Sequence, residues 1–201
     1  MTGSTGLSLR RRWLVLRSQL SVPARLSDMN EARVVSVTAA IEGGAAILMI
    51  SLAAWLSGLP LLFPALGPSA FLIFTRPFSP ASAPRAILLG HGMGILGGWA
   101  VWTMVSLLAG EPVSLAEPGL AVCASANLSF ALTCLLLVRF SCPHAPACAS
   151  ALIVATGAMV GWVDLLVMTG AVALLAGQGV VIQRLLGVNV PFWREKRPPD
   201  G

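Results

Sequence analysis

A carboxylate, two histidines and two serines sit among apolar residues in this chain, where each has to be bonded or functional. Glu42 lies within the run Val34–Ser57, and an ionised carboxylate at the centre of such a segment costs about 2.5–3.5 kcal/mol on insertion scales. It is expected to face protein or a water-filled cavity, either coupling a proton or pairing with an arginine or a helix end. His91 and His144 are the chain's two histidines. An imidazole titrates near neutral pH, so His91 is a candidate for proton coupling and His144 for substrate binding, with interhelical hydrogen bonding and helix-entry packing as the structural alternatives. Ser69 and Ser150 stand at matching places in two similar segments and offer hydroxyl donors to an anion; Gly67 lies beside the first. As small residues they also permit tight packing.

Other chemistry finds less support. Cys142, His144 and Cys148 lack a clear fourth ligand, and no metal site is expected. The chain has no Walker loop, dinucleotide fingerprint or zinc-protease helix motif. An intramembrane protease needs a nucleophile with its base or a pair of carboxylates at one depth, whereas Glu42 and Asp164 fall at different depths. Neither enzymatic activity nor a cofactor is expected.

The elements that must position these residues are two interrupted segments. The first, Phe63 to His91, holds a short apolar helix broken by Pro64 and Gly67-Pro68, a Pro/Ser/Arg loop, and the glycine-lined start of a long helix. The second, Cys142 to Gly161, repeats the prolines, small residues and short apolar helix. Aligned without gaps, Gly67-Pro68-Ser69-Ala70-Phe71-Leu72 falls on Cys148-Ala149-Ser150-Ala151-Leu152-Ile153. Paired interrupted hydrophobic segments in corresponding halves of a membrane chain point to a site where two repeats meet.

Composition places the whole chain in the membrane: it is 56% hydrophobic and 10% charged, with a mean hydropathy of +0.84. The net charge of +5 resides in short flanks of apolar runs. There it sets orientation and touches anionic lipid; nucleic acid is not an expected partner. The four cysteines lie in or beside apolar segments and give no disulfide framework.

The expected fold is all-α. Long spans run over Val34–Ser57, Ala86–Ala109, Gly119–Phe140 and Val163–Leu186, with short helices at Leu61–Thr75 and Ala145–Gly161. Residues 1–33 form a basic segment, 34–187 the membrane domain and 188–201 a basic tail. Gly90, Gly94 and Gly98, four apart, share a face that admits a neighbouring backbone. If both short helices cross, all short basic loops lie inside and Glu111 and Glu117 outside, as the positive-inside rule requires. The three-helix halves then form an inverted repeat in the cell membrane with both termini cytoplasmic. Their short helices bring N-terminal N–H groups, which favour an anion, toward the middle of the membrane.

These residues also carry a resemblance. Gly67-Pro68-Ser69-Ala70-Phe71-Leu72-Ile73-Phe74, Ser79-Pro80, Pro84-Arg85 and Gly90-His91 are similar to the signature of the HPP family of integral membrane proteins. The run His144-Ala145-Pro146-Ala147-Cys148-Ala149-Ser150-Ala151-Leu152 resembles its naming His-Pro-Pro motif, with Ala145 in place of the first proline. Ala83 and Ala86 replace polar positions around the Pro-Arg motif, and Pro191-Phe192-Trp193 resembles the family's ending. The resemblance implies a membrane domain without appended soluble domains and, for some members, nitrite transport.

A small-anion transporter or channel, with nitrite as a candidate substrate, is therefore the expected function. The alternative is a non-transporting scaffold or assembly subunit that binds partners through its glycine face. The expected partners are a small anion and lipid, and self-association stays open.

Overall fold

The computed structural model of the chain describes residues 31–193; the basic segment before Glu31 and the charged residues after Trp193 lie outside the described residues. Those described form six α-helices: α1 (Glu31–Ser57), α2 (Leu66–Thr75), α3 (Pro84–Ala109), α4 (Leu120–Arg139), α5 (Pro146–Ala155) and α6 (Trp162–Leu185). A 3₁₀ turn, Pro80–Ser82, precedes α3, and there are no strands among them. Four helices are long and apolar enough to cross a membrane. The two short ones, at 10 residues each, extend about 15 Å, half of a hydrocarbon core of about 30 Å. The outward faces are apolar too: Leu120 is 87% and Val138 82% exposed. Such a surface belongs in lipid, and the protein is a multi-pass membrane protein.

Both short helices are shorter than the sequence suggests, for local reasons. Residues 61–65 stay irregular around Pro64, and α2 starts with Pro68 in its first turn, where a missing N–H costs nothing. After α5 the chain turns at Gly157, whose φ is +81° and whose Cβ position is occupied by the Val113 carbonyl, so the helix cannot run on to Gly161.

Contacts between helix ends fix the direction of every segment. At one end of the bundle, here called proximal, Val35 of α1 packs with Val180, Val188 and Val190, the Arg85 amide donates to the Trp193 carbonyl, and Arg85 reaches Cys142. The C-terminal end of α2 arrives there as well, since Gln183 donates to the Ile73 carbonyl and Ser82 to that of Leu72. At the distal end the Leu115 amide donates to the Thr156 carbonyl, and Val101 and Val105 cluster with Val113 and Val122. The chain thus alternates in direction through all six helices, and each short helix carries it from one end of the bundle toward the other. Val188 and Val190, in the expected tail, are buried at the proximal end.

Packing repeats between the halves. α1 packs on α2 as α4 does on α5, α3 on α5 as α6 on α2, and α3 on α4 as α6 on α1, while α3 and α6 meet each other. The sequence offset that takes Ser69 onto Ser150 also takes Gly98 onto Gly179 and Ile73 onto Val154. Both glycines perform the same task, Gly98 against Val154 and Gly179 against Ile73.

The closest approach is between α3 and α5. A Cβ on Gly94 would strike the Ala147 carbonyl oxygen, and one on Gly98 would lie 2.7 Å from that of Ala151. The glycine face is therefore filled by this chain's own α5, which removes it as a docking face for a scaffold's partners.

Two predictions follow from this geometry. Gly94→Ala should lower stability in detergent by ~1–3 kcal/mol through overpacking. Gly92→Ala, with nothing within 4 Å of its Cβ position, should leave stability unchanged or raise it by up to about 1 kcal/mol. Equal melting curves for the two variants would contradict the close approach. In a background without native thiols, Ser57→Cys and Arg76→Cys, exposed before and after α2, should label from opposite sides of the membrane with an impermeant maleimide; same-side labelling would reverse the path given to α2.

Candidate functional site

Where α2, α3 and α5 converge, four polar side chains are buried against one another. Ser69 lies on the first turn of α2, one turn after Ala65, and Ser150 lies on the second turn of α5. His91 stands two turns into α3, a helix opened by Pro84. His144 precedes α5 and begins its hydrogen bonding, accepting from the Ala147 amide at 3.1 Å. Ser69, His144 and Ser150 are 0% exposed and His91 1%.

The loop that delivers His144 is held by its own backbone. After α4, Ser141 takes a left-handed conformation (φ 51°), and the Cys142 amide returns to the Leu137 carbonyl at 2.9 Å. That turn buries Cys142 beside Arg85 and leaves His144 entering the bundle ahead of Pro146.

His91 bridges the two halves of the chain. Its Nε2 is 2.9 Å from Ser69 Oγ, and its Nδ1 is 2.7 Å from Ser150 Oγ. His144 completes the cluster with Nε2 at 3.0 Å from Ser69 Oγ and 3.1 Å from His91 Nε2, the two rings meeting edge to face with centroids 4.9 Å apart. Its Nδ1 donates to the Ala81 carbonyl in the 3₁₀ turn at 2.7 Å. Ser69 Oγ also lies 3.0 Å from the Ala65 carbonyl.

The cluster thus brings together Ser69, His91, His144 and Ser150, all candidates from the sequence. Gly67 is exposed on α2 with nothing near its Cβ position, away from the cluster. Glu42 is buried on α1, which packs against α2 and α6. The serine hydroxyls are engaged by imidazoles, and the Ala147 and Cys148 amides at the start of α5 bond to the His144 and Ala145 carbonyls. What the sequence could not indicate is the Ala81 carbonyl, a backbone group that carries no residue-type signal.

Around the cluster, smaller bonds fasten the short helices. Ser125 on α4 donates to the Ala155 carbonyl at 2.7 Å and Ser129 to that of Ala151 at 3.4 Å. On the other side Gln183 reaches the end of α2. Gln183, Ser82, Pro84 and Pro191 line a proximal cleft of about 10 Å³, room for a single water. Among the described residues no group of three or more His, Cys, Asp or Glu is placed to hold a metal ion.

Ser150→Ala would leave His91 Nδ1 buried without its hydroxyl, at a cost of ~1–3 kcal/mol in unfolding stability. An unmoved melting midpoint would show that this bond contributes nothing.

Neither the curated proteins nor the solved structures yield a match to this chain. The sequence pattern of the HPP transmembrane region, by contrast, matches residues 29–191, a stretch that contains all six α-helices and the whole serine–histidine cluster. The chain belongs to the HPP transmembrane family.

Proposed function

We propose that this protein carries a small anion across the cell membrane, nitrite or a similar oxyanion in view of the family resemblance. The supporting observation is the cluster: four polar side chains buried where two short helices, one from each half, meet inside an apolar bundle. Polar groups at membrane depth mark substrate and ion pathways, and short interrupted helices in corresponding halves frame such sites. The cluster residues are at most 1% exposed, so an anion can reach them only if the halves shift against each other.

Orientation supports the same reading. Arg33, Arg76, Arg85, Arg139 and Arg184, the arginines among the described residues, all lie at the proximal end, whereas Glu111, Glu117 and Asp164 lie at the distal end. By the positive-inside rule the proximal end is cytoplasmic, and the chain enters and leaves the membrane there.

Nitrite entry into vesicles containing the purified protein should exceed entry into protein-free vesicles. Ser150→Asp should reduce it by about tenfold or more, since like charges at contact distance cost over about 1 kcal/mol even at high dielectric. No entry of nitrite, nitrate or formate above the protein-free level would overturn transport.

A further inference from the structure

Both ring nitrogens of each histidine are engaged, and one contact determines the protons of the rest. The Ala81 carbonyl only accepts, so the 2.7 Å bond from His144 Nδ1 requires a proton on that nitrogen. In neutral His144, Nε2 is then an acceptor. It faces His91 Nε2 at 3.1 Å, and two lone pairs there would repel, so His91 carries its proton on Nε2. His91 Nδ1 is left as acceptor for the Ser150 hydroxyl at 2.7 Å.

An added proton has one place to go. Two N–H groups cannot point at each other across 3.1 Å, so a single proton stays between the Nε2 atoms. The added one must bond to His91 Nδ1, and Ser150 Oγ turns from donor to acceptor. Ser69 can adapt to either state, because its hydroxyl proton can point at His144 Nε2 or at the Ala65 carbonyl. The Ala81 carbonyl holds the other end unchanged throughout.

We propose that His91 and His144 form a one-proton unit, loaded and unloaded at His91 Nδ1 beside Ser150, whose single positive charge when loaded is the counter-charge for one monovalent anion. Loading forms one N–H bond at His91 Nδ1 and shares the existing Nε2 proton between the rings; no electrons move. The neighbouring titratable groups are engaged elsewhere: Arg85 at Cys142 Sγ, Cys148 at Cys134, Arg184 at the Val190 carbonyl, and Asp164 at the amide of Gly161. Arg76 and Arg139 are exposed, and Glu42 is the buried carboxylate of α1. As the anion's counter-charge the unit rests on the transport reading above; as a one-proton unit it does not.

These are the chain's two histidines, so ¹⁵N-histidine labelling of the full chain, purified through a tag without histidine, reports on this pair alone. At the alkaline end the spectrum should show His144 protonated on Nδ1 and His91 on Nε2. On acidification both rings should shift in one step that adds a single proton at His91 Nδ1. Independent titration of the rings, a neutral His91 protonated on Nδ1, or no proton uptake while the protein stays folded would each overturn the unit. A second measurement concerns the anion. In vesicles with a trapped pH dye, nitrite should enter with one proton per anion, and His91→Gln should abolish the accompanying acidification. Nitrite entry without protons would overturn the counter-charge role; no entry of nitrite, nitrate or formate would overturn transport, and the spectra would still decide the one-proton unit.

Discussion

Two glycines on α3 let the backbone of α5 come into contact with the backbone of α3, and the centre of the bundle depends on that approach. With a Cβ at Gly94 or Gly98 the carbonyls of Ala147 and Ala151 would be displaced, and α5 would ride outward on α3. Ser150 would then leave His91 Nδ1, and His144, at the entrance to the same helix, would lose His91 and Ser69 together. In a lipid-surrounded bundle the hydrophobic effect does not press helices together, so close backbone packing and interhelical hydrogen bonds have to. Here both act at one seam.

The two halves share a frame but not a chemistry. Gly98 on α3 and Gly179 on α6 receive equivalent residues of the partner half's short helix, and Ser69 and Ser150 are equivalent members of the short helices themselves. The position on α6 that corresponds to His91 is Val172, buried in the main apolar cluster. The polar centre is consequently single and lies nearer α3 and α5, with both serines drawn toward one imidazole.

That asymmetry matters for the protons. A symmetric pair of sites would hold two independent charges, each needing its own compensation in a medium that solvates charge poorly. Facing imidazoles with a common Nε2 contact hold one. A carbonyl that can only accept fixes the tautomer at one end, and a hydroxyl that can either donate or accept leaves the other end able to change. The frozen end comes from the 3₁₀ turn between α2 and α3, the adaptable end from α5.

Much of this was legible in the residues. Apolar runs of helical length with sparse charge fixed four long spans, and the prolines and small residues around Ser69 and Ser150 marked two short helices, because membrane depth and helix rise leave few other solutions. Gly90, Gly94 and Gly98 at four-residue spacing announced a close helix contact, though not with which helix. Ser69, His91, His144 and Ser150 were each visible as polar residues that a membrane segment has to justify. Their meeting was not visible, since Ser69 and His144 are far apart in sequence and come within 3.0 Å only through the packing of α2, α3 and α5. Nor was the Ala81 carbonyl, because a backbone acceptor looks the same at every residue and acquires a role only when a fold aims a donor at it. Residue type determined which groups could hold a proton; tertiary structure decided that two of them share one, because only the fold sets the distance and direction between their nitrogens.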